Sequence, residues 1–224
     1  LDYPPGSYAD TDEIVALAEE AARLGGIYHT HLRNTLGDGF LDPVREGLEI
    51  GQRAALPCHL THFYQRISHP GSARQLLDLV EGSVDGGQDV TMDCYPYTYS
   101  SSRALILIPQ WAHDGGVAKL KEVLRSEEGR QRLRQEVRPR GLSWSELWLT
   151  YFKHPHNQRF EGRSVAAIAE MVGKGEVDTL CDLLLEEDLQ TSYITPGPDL
   201  TTLPDFMTHP LTMVGTDALL VGDY

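Results

Sequence analysis

The sequence predicts an α/β fold in which parallel strands alternate with helices, and two observations support this. Helix and strand signals alternate along the first hundred residues, at roughly thirty residues per unit. Three apolar, β-prone runs each end in a polar residue, at His31, His62 and Asp217. The repeat favours a (β/α) barrel over an open sheet, and in such a barrel the C-terminal ends of the strands meet on one face.

The first three helix–strand units have clear boundaries. Gly25-Gly26 end the first helix, Asp42-Pro43 begin the second, and Gly86-Gly87 separate the third from its strand. The predicted elements are, in order, a helix over 14–24, a strand over 26–31, a helix over 42–55, a strand over 57–62, a helix over 71–84 and a strand over 89–97.

The second half is less regular. It predicts a charged helix over 118–136, a segment over 143–152 with Trp144 and Trp148 at helical spacing, and an apolar helix over 164–172. We expect a helical insertion at about 115–190, followed by a last strand over 211–217. Only about four or five strands are evident, whereas a closed barrel needs eight. We therefore expect residues 1–224 to be the C-terminal portion of a barrel whose N-terminal half is absent.

Composition limits the functional classes. The chain has 19 basic and 33 acidic residues, and its net charge of −14 argues against nucleic acid and anionic membranes as partners. No apolar run is long enough to cross a bilayer, so we expect a cytoplasmic protein that acts on small molecules. Cys58, Cys94 and Cys181 form no CxxC pair, and Cys58 and Cys94, which lie in strand-like runs, are predicted to be buried.

The polar residues that close the three strands suggest a metal hydrolase. Imidazole nitrogens and a carboxylate are zinc ligands, and a site that keeps an open position can activate water. The alternative interpretation is structural, with each histidine as a hydrogen-bonded core or rim residue and Asp217 as the cap of a turn. Spacing alone leaves both interpretations open.

Four blocks carry a resemblance to a known family. They are GGIYHTHLR over 25–33, PCHLTH over 57–62, DVTMDCYPY over 89–97, and His209-Pro210 with VGTD over 214–217. In this order they resemble N-acyl-D-amino-acid deacylases (D-aminoacylases) of the metal-dependent amidohydrolase superfamily, along nearly the whole chain. The resemblance implies strands five to eight, roughly, of an amidohydrolase-type TIM (β/α)8 barrel, without the family's β-sandwich. It also implies a zinc-dependent hydrolase that splits N-acyl-D-amino acids into a carboxylate and a free D-amino acid.

The resemblance also implies site residues. His31 and His62 would bind Zn²⁺, with one or two ions in the full-length protein, and Asp217 would be the general base. Tyr95 would polarise the scissile carbonyl, and Ser101 would contact the substrate carboxylate.

This chain departs from the family pattern at two places. The family's lysine two residues after the second histidine is Tyr64 here, so carboxylate binding would fall to Arg33, Arg103 or Arg66. The resemblance places the superfamily's first-strand His-x-His pair and the family's bridging cysteine upstream of Leu1, so we expect the chain alone to be inactive. A cyclic amidohydrolase, such as a hydantoinase or dihydroorotase, and a catalytically silent barrel scaffold stay open as alternatives. The oligomeric state is not predicted.

Overall fold

The structure is a computed structural model that describes residues 1–69, 71–139 and 141–218. The helices are α1 (Thr11–Ala22), α2 (Asp42–Arg53), α3 (Ala73–Asp85), α4 (Gly116–Arg125), α5 (Glu127–Glu136), α6 (Val165–Val172), α7 (Glu176–Glu186) and α8 (Leu203–Met207). The strands are β1 (Tyr28–Thr30), β2 (Cys58–Leu60), β3 (Val90–Cys94), β4 (Tyr99–Arg103), β5 (Trp148–Thr150), β6 (Ser192–Pro196) and β7 (Thr212–Val214).

The chain forms two compact units. Unit 1 comprises Leu1–Thr98 and the chain from Pro198 onward, and unit 2 comprises Tyr99–Gly197. Unit 1 holds a parallel sheet with the strand order β1-β2-β3-β7. This sheet and its crossover helices confirm the predicted α/β fold and fit a partial barrel. Within the described residues the four strands do not close on themselves.

One face of the parallel sheet packs against helices. Alternate strand residues point to opposite faces, and the set that includes Leu60 and Met92 is buried against α2 and α3. Helix α2 lies close to the sheet because Gly51 has no side chain: a Cβ atom there would lie 2.9 Å from the Cβ of Cys58. The helices therefore cover this face, and the intervening residues, including His29 and His59, point to the other face.

Unit 2 combines an antiparallel sheet with four helices. The sheet has the order β4-β6-β5, and Tyr99 at the start of β4 pairs with Pro196 at the end of β6. Its core is apolar and fully buried around Leu124, Leu149 and Leu180. Helices α4 to α7 supply many of the other core residues, and the loops and strands supply the rest, so this unit has a hydrophobic core of its own.

Two predicted helices of the second half were wrong. The helix over 118–136 is two helices, because the Ser126 side chain accepts a hydrogen bond from Gly129 N and begins α5 as its N-cap. The segment over 143–152 is a short 3-10 helix followed by β5, because pairing of Leu149 with Tyr193 of β6 outweighs the helical spacing of the tryptophans. The insertion at about 115–190 stays a prediction.

None of the helices in the described part of the chain combines the length and the apolar composition that a membrane crossing requires.

Candidate metal centre

His31 and His62 follow the C-terminal ends of neighbouring strands. His31 comes directly after β1, and His62 comes two residues after β2. The backbone of His62 is in the left-handed region with φ 41°, an uncommon conformation for a residue with a side chain. Its N–H donates to Asp93 Oδ1 at 2.7 Å, which helps to hold this turn. Strained backbone that is held in place by its neighbours is frequent at functional sites.

The two imidazole rings meet at their nitrogens. His31 Nδ1 lies 2.8 Å from His62 Nε2, and the ring centroids are 4.7 Å apart. The other nitrogen of His31, Nε2, is 3.4 Å from Asp2 Oδ2, and the Asp2 side chain is only 1% exposed. A carboxylate at Nε2 keeps the proton on that nitrogen, so the Nδ1 lone pair points toward His62.

Asp2 is itself held in place. Asn34 Nδ2 donates to its Oδ2 at 3.2 Å, while the backbone N–H and the hydroxyl of Thr35 donate to its Oδ1. Metal-binding histidines commonly have such a carboxylate on the second ring nitrogen. The carboxylate therefore fixes the His31 ring orientation as a metal site requires.

The electrostatics around His62 favour its neutral form. Burial lowers the pKa of His62 to about 3, and the nearby charges of His31 and Arg66 act in the same direction. Neutral imidazole is the form that coordinates a metal ion. Two converging imidazole nitrogens, with the His31 ring oriented by Asp2, are donors that fit Zn²⁺.

Asp217 lies three residues after β7, with φ 46°. Although the residue is exposed, partial burial of its carboxyl and the charge of Asp93 raise its pKa, against the opposing charges of His31 and Arg66. Because the charge of His31 acts on it, Asp217 lies at the same end of the sheet as His31 and His62. A carboxyl with a raised pKa is better suited to accept a proton than an ordinary surface aspartate is.

Tyr64 and Tyr95 form a buried pair in unit 1. Their hydroxyl groups are hydrogen-bonded to each other and their rings are 5.1 Å apart. Arg66 Nη1 donates to the Tyr64 hydroxyl at 3.3 Å. His62, Tyr64 and Arg66 line an open cleft, together with Phe40 and other residues.

The remaining predicted site residues have other surroundings. Arg33 is buried, its Nε donates to Glu46 Oε2 at 3.2 Å, and its Nη1 donates to the carbonyl of Ala9 at 2.6 Å. Ser101 is an exposed residue of β4 in unit 2. Arg103, also in unit 2, donates to the Gln190 carbonyl at 2.7 Å. The structure therefore brings His31 and His62 together and Tyr64 and Tyr95 together, while Arg33 is engaged in an ion pair.

Sequence reasoning missed a polar group on the open face of the parallel sheet. One ligand atom from each of His29, His59 and Asp93 lies within 4.8 Å of the other two, so the three side chains could hold one metal ion. The pattern His29-x-His31 was the available signal, since residues two apart in a strand share a face. Asp2 had no such signal, because its role depends on a contact with a residue 29 positions away.

Comparison with known proteins identifies relatives in sequence and in structure. No protein-family model matches the chain. It is 33% identical over 102 residues to a D-aminoacylase of Alcaligenes xylosoxydans xylosoxydans, covering 45% of this chain and 20% of that protein. It is 25% identical over 227 residues to an N-acyl-D-aspartate deacylase of the same organism, covering 97% and 36%.

Solved structures share the fold. An N-acyl-D-glutamate deacylase from Bordetella bronchiseptica, complexed with zinc and a phosphonate inhibitor, matches with a TM-score of 0.69 at 24% identity, over 95% of this chain and 37% of that one. A D-aminoacylase described as defining a subset of amidohydrolases matches with a TM-score of 0.64 at 21% identity, over 96% and 37%. The chain thus spans between a fifth and just over a third of the length of these proteins. As the motifs indicated, the chain is similar in sequence to a D-aminoacylase and to N-acyl-D-amino-acid deacylases over part of their length.

Proposed function

We propose that this chain supplies part of the active centre of a zinc-dependent hydrolase that deacylates N-acyl-D-amino acids. The observation that carries the proposal is the approach of His31 Nδ1 to His62 Nε2 at 2.8 Å, at the ends of two neighbouring parallel strands. The relatives named as D-aminoacylase and as N-acyl-D-aspartate deacylase support the substrate class. The products would be a carboxylate and a free D-amino acid.

In this proposal His31 and His62 hold one or two zinc ions together with ligands from elsewhere in the protein. Bound zinc supplies Lewis-acid chemistry, in that it polarises water or a carbonyl oxygen. Asp2 keeps the His31 ring oriented through Nε2. Asp217 accepts a proton from the water that adds to the amide carbonyl and returns it to the amine when the C–N bond breaks, a role for which its raised pKa is suited. Tyr95 is proposed as a hydroxyl donor to the substrate carbonyl.

For the substrate carboxylate we propose Arg66, with Tyr64 beside it. Both line the cleft with His62, and a guanidinium group forms strong paired hydrogen bonds with a carboxylate. Ser101, which the family resemblance implies, and Arg33, predicted as a substitute for the family's lysine, stay candidates, but neither lines this cleft. The variant Arg66→Gln is expected to raise KM by about 10-fold or more with a smaller change in kcat, since a charged hydrogen bond is worth about 1.5–3 kcal/mol. Arg45→Gln, which removes an exposed arginine paired with Asp42, is the matched control and should leave KM unchanged.

Metal content is the first test. Zinc is measured by elemental analysis in the purified chain, in a His31→Ala, His62→Ala double variant and in a His156→Ala control, whose imidazole side chain is 58% exposed and lies in unit 2. We expect at least one equivalent of zinc to be lost in the double variant and none in the control. Equal zinc in the wild type and the double variant would rule out this pair as the metal site.

Substrate class is tested with the complete polypeptide that the gene encodes, because the chain spans only part of its relatives. Amine release is followed with N-acetyl-D-aspartate, N-acetyl-D-glutamate, a neutral N-acetyl-D-amino acid and the L-enantiomers. Hydrolysis of D-substrates alone supports the proposal. Turnover of hydantoin or dihydropyrimidine alone would indicate a cyclic amidohydrolase, and a zinc-free, inactive protein would indicate a scaffold.

A further inference from the structure

A second set of metal-type donors lies on the open face of the parallel sheet, and one of its members, Asp93, also accepts the backbone hydrogen bond of His62. His29 of β1 is in register with His59 of β2, and His59 is in register with Thr91 of β3. Asp93 is two residues further along β3 and points to the same face. Three adjacent strands therefore present polar side chains side by side.

The donor atoms are close enough to share one ion. The His59 Nε2 atom lies 2.9 Å from Asp93 Oδ2, and a ring nitrogen of His29 lies within 4.8 Å of both groups. The rings of His29 and His59 meet edge to face with centroids 4.7 Å apart. Two imidazoles and one carboxylate on one side of an ion, with the other positions open, form a known arrangement for divalent transition metals.

The surroundings also fit a ligand site. Thr91 Oγ1 is 2.7 Å from His59 Nδ1, so a hydroxyl contact orients the ring and leaves Nε2 directed at Asp93. The His29 imidazole has no hydrogen-bond or ion-pair partner among the described residues. The inward face of strands in a parallel barrel is normally occupied by Val, Ile and Leu, so two histidines, a threonine and an aspartate require another explanation.

We propose that His29, His59 and Asp93 bind a divalent transition metal such as Zn²⁺, with Thr91 orienting His59. This site uses none of the nitrogens that meet between His31 and His62. The alternative is a network without metal, in which the Thr91 hydroxyl donates to His59 Nδ1 and His59 Nε2–H donates to Asp93.

The experiment measures zinc binding by equilibrium dialysis of the chelator-stripped chain. The His31→Ala, His62→Ala double variant is compared with a triple variant that adds His29→Asn. Because His29 is exposed, this substitution should preserve the fold, which is checked by circular dichroism. We expect the double variant to retain about one equivalent of zinc, and the triple variant to lose it through a fall in affinity of at least about 100-fold.

Two further variants make the test specific. Thr91→Val keeps the shape of the side chain but removes the hydroxyl, and when made in the double variant it should weaken zinc binding by about 10- to 100-fold, as for other residues that orient a metal ligand. His156→Asn, in the same background, should change nothing. Retention of the same zinc affinity after His29→Asn, or absence of zinc from the double variant, would overturn the proposal in favour of the hydrogen-bonded network. Because His31 and His62 are absent from this background, the result does not depend on the proposed hydrolase site.

Discussion

Replacing Glu187 with glutamine tests how a buried carboxylate stabilises unit 2. The residue follows α7 and is 2% exposed. Its Oε2 accepts hydrogen bonds from the backbone N–H groups of Lys153 at 2.7 Å and His154 at 3.1 Å, and its Oε1 accepts one from Asn157 Nδ2 at 2.8 Å. Glutamine removes the charge and turns an NH₂ group toward one of these donors. A hydrogen bond to a charged group is worth about 1.5–3 kcal/mol, so we expect a loss of about 2–3 kcal/mol at pH 7.

The loss should depend on pH. Burial acts to raise the pKa of Glu187, but hydrogen bonds from Asn157, His154 and Lys153 outweigh it and hold the pKa below its usual value. A carboxyl with a lowered folded-state pKa stabilises the protein above its unfolded-state pKa, and this contribution disappears as the pH falls through the folded-state value. The difference between wild type and Glu187→Gln should therefore be largest near neutrality and shrink below about pH 4.

Tryptophan fluorescence during urea unfolding gives the measurement. Trp111, Trp144 and Trp148 are the three tryptophans of the chain and all belong to unit 2, so the signal reports this unit. Glu170→Gln, at an exposed position of α6, is the matched control and should stay within about 0.5 kcal/mol of wild type. If Glu187→Gln behaves like this control at pH 7, or if its deficit is the same at pH 3, the reasoning is refuted.

Three other substitutions probe packing and charge. Leu60→Ala, at a fully buried position on the helix-covered face of β2, should lower the free energy of unfolding by about 2–5 kcal/mol, measured by urea unfolding and circular dichroism. A loss below about 1 kcal/mol would contradict this packing. Gly71→Ala places a Cβ atom 2.2 Å from the Phe40 ring at φ +124°, so Tm should fall by at least about 2–4 °C; an unchanged Tm would contradict the close contact. Asp178→Asn removes the ion-pair partner of Arg134, whose hydrogen bond lowers the pKa of Asp178. The variant should be less stable than wild type at pH 7 but not at acid pH, where Asp178 is protonated. A loss of stability that does not depend on pH would argue against the ion pair.

The sequence was most informative where local chemistry decides the structure. The apolar run that predicts a helix over 14–24 lies mostly in α1, which begins after Asp10 because the Asp10 side chain accepts a hydrogen bond from Glu13 N. The predicted strands ending near His31 and His62 are present as β1 and β2. They could be predicted because glycine and proline residues close to them in the sequence mark their starts. The split at Ser126 was missed because its charged flanks continue the helical pattern.

Features that depend on distant partners were beyond the sequence. Arg33 lies two residues after the predicted metal ligand His31, yet its ion pair with Glu46 follows from how α2 packs. His29 and His59 were assigned to strands, but only the parallel register shows that they are neighbours. The conversion of the Trp148 segment into a strand likewise needs β6, which is more than forty residues away. Pair contacts across such distances leave no trace in local periodicity.

The pairing of Tyr99 with Pro196 has a consequence for the order of folding. In the parallel sheet, Met92 pairs with Thr212, 120 residues further along the chain, and closing so long a loop delays folding. Once β4 and β6 have paired, the two ends of unit 2 are adjacent. The unpaired chain that separates β3 from β7 is then about two dozen residues long. By the logarithmic dependence of closure entropy on length, this saves about 1.4 kcal/mol in joining β3 to β7. If unit 2 folds first, the parallel sheet should therefore assemble faster.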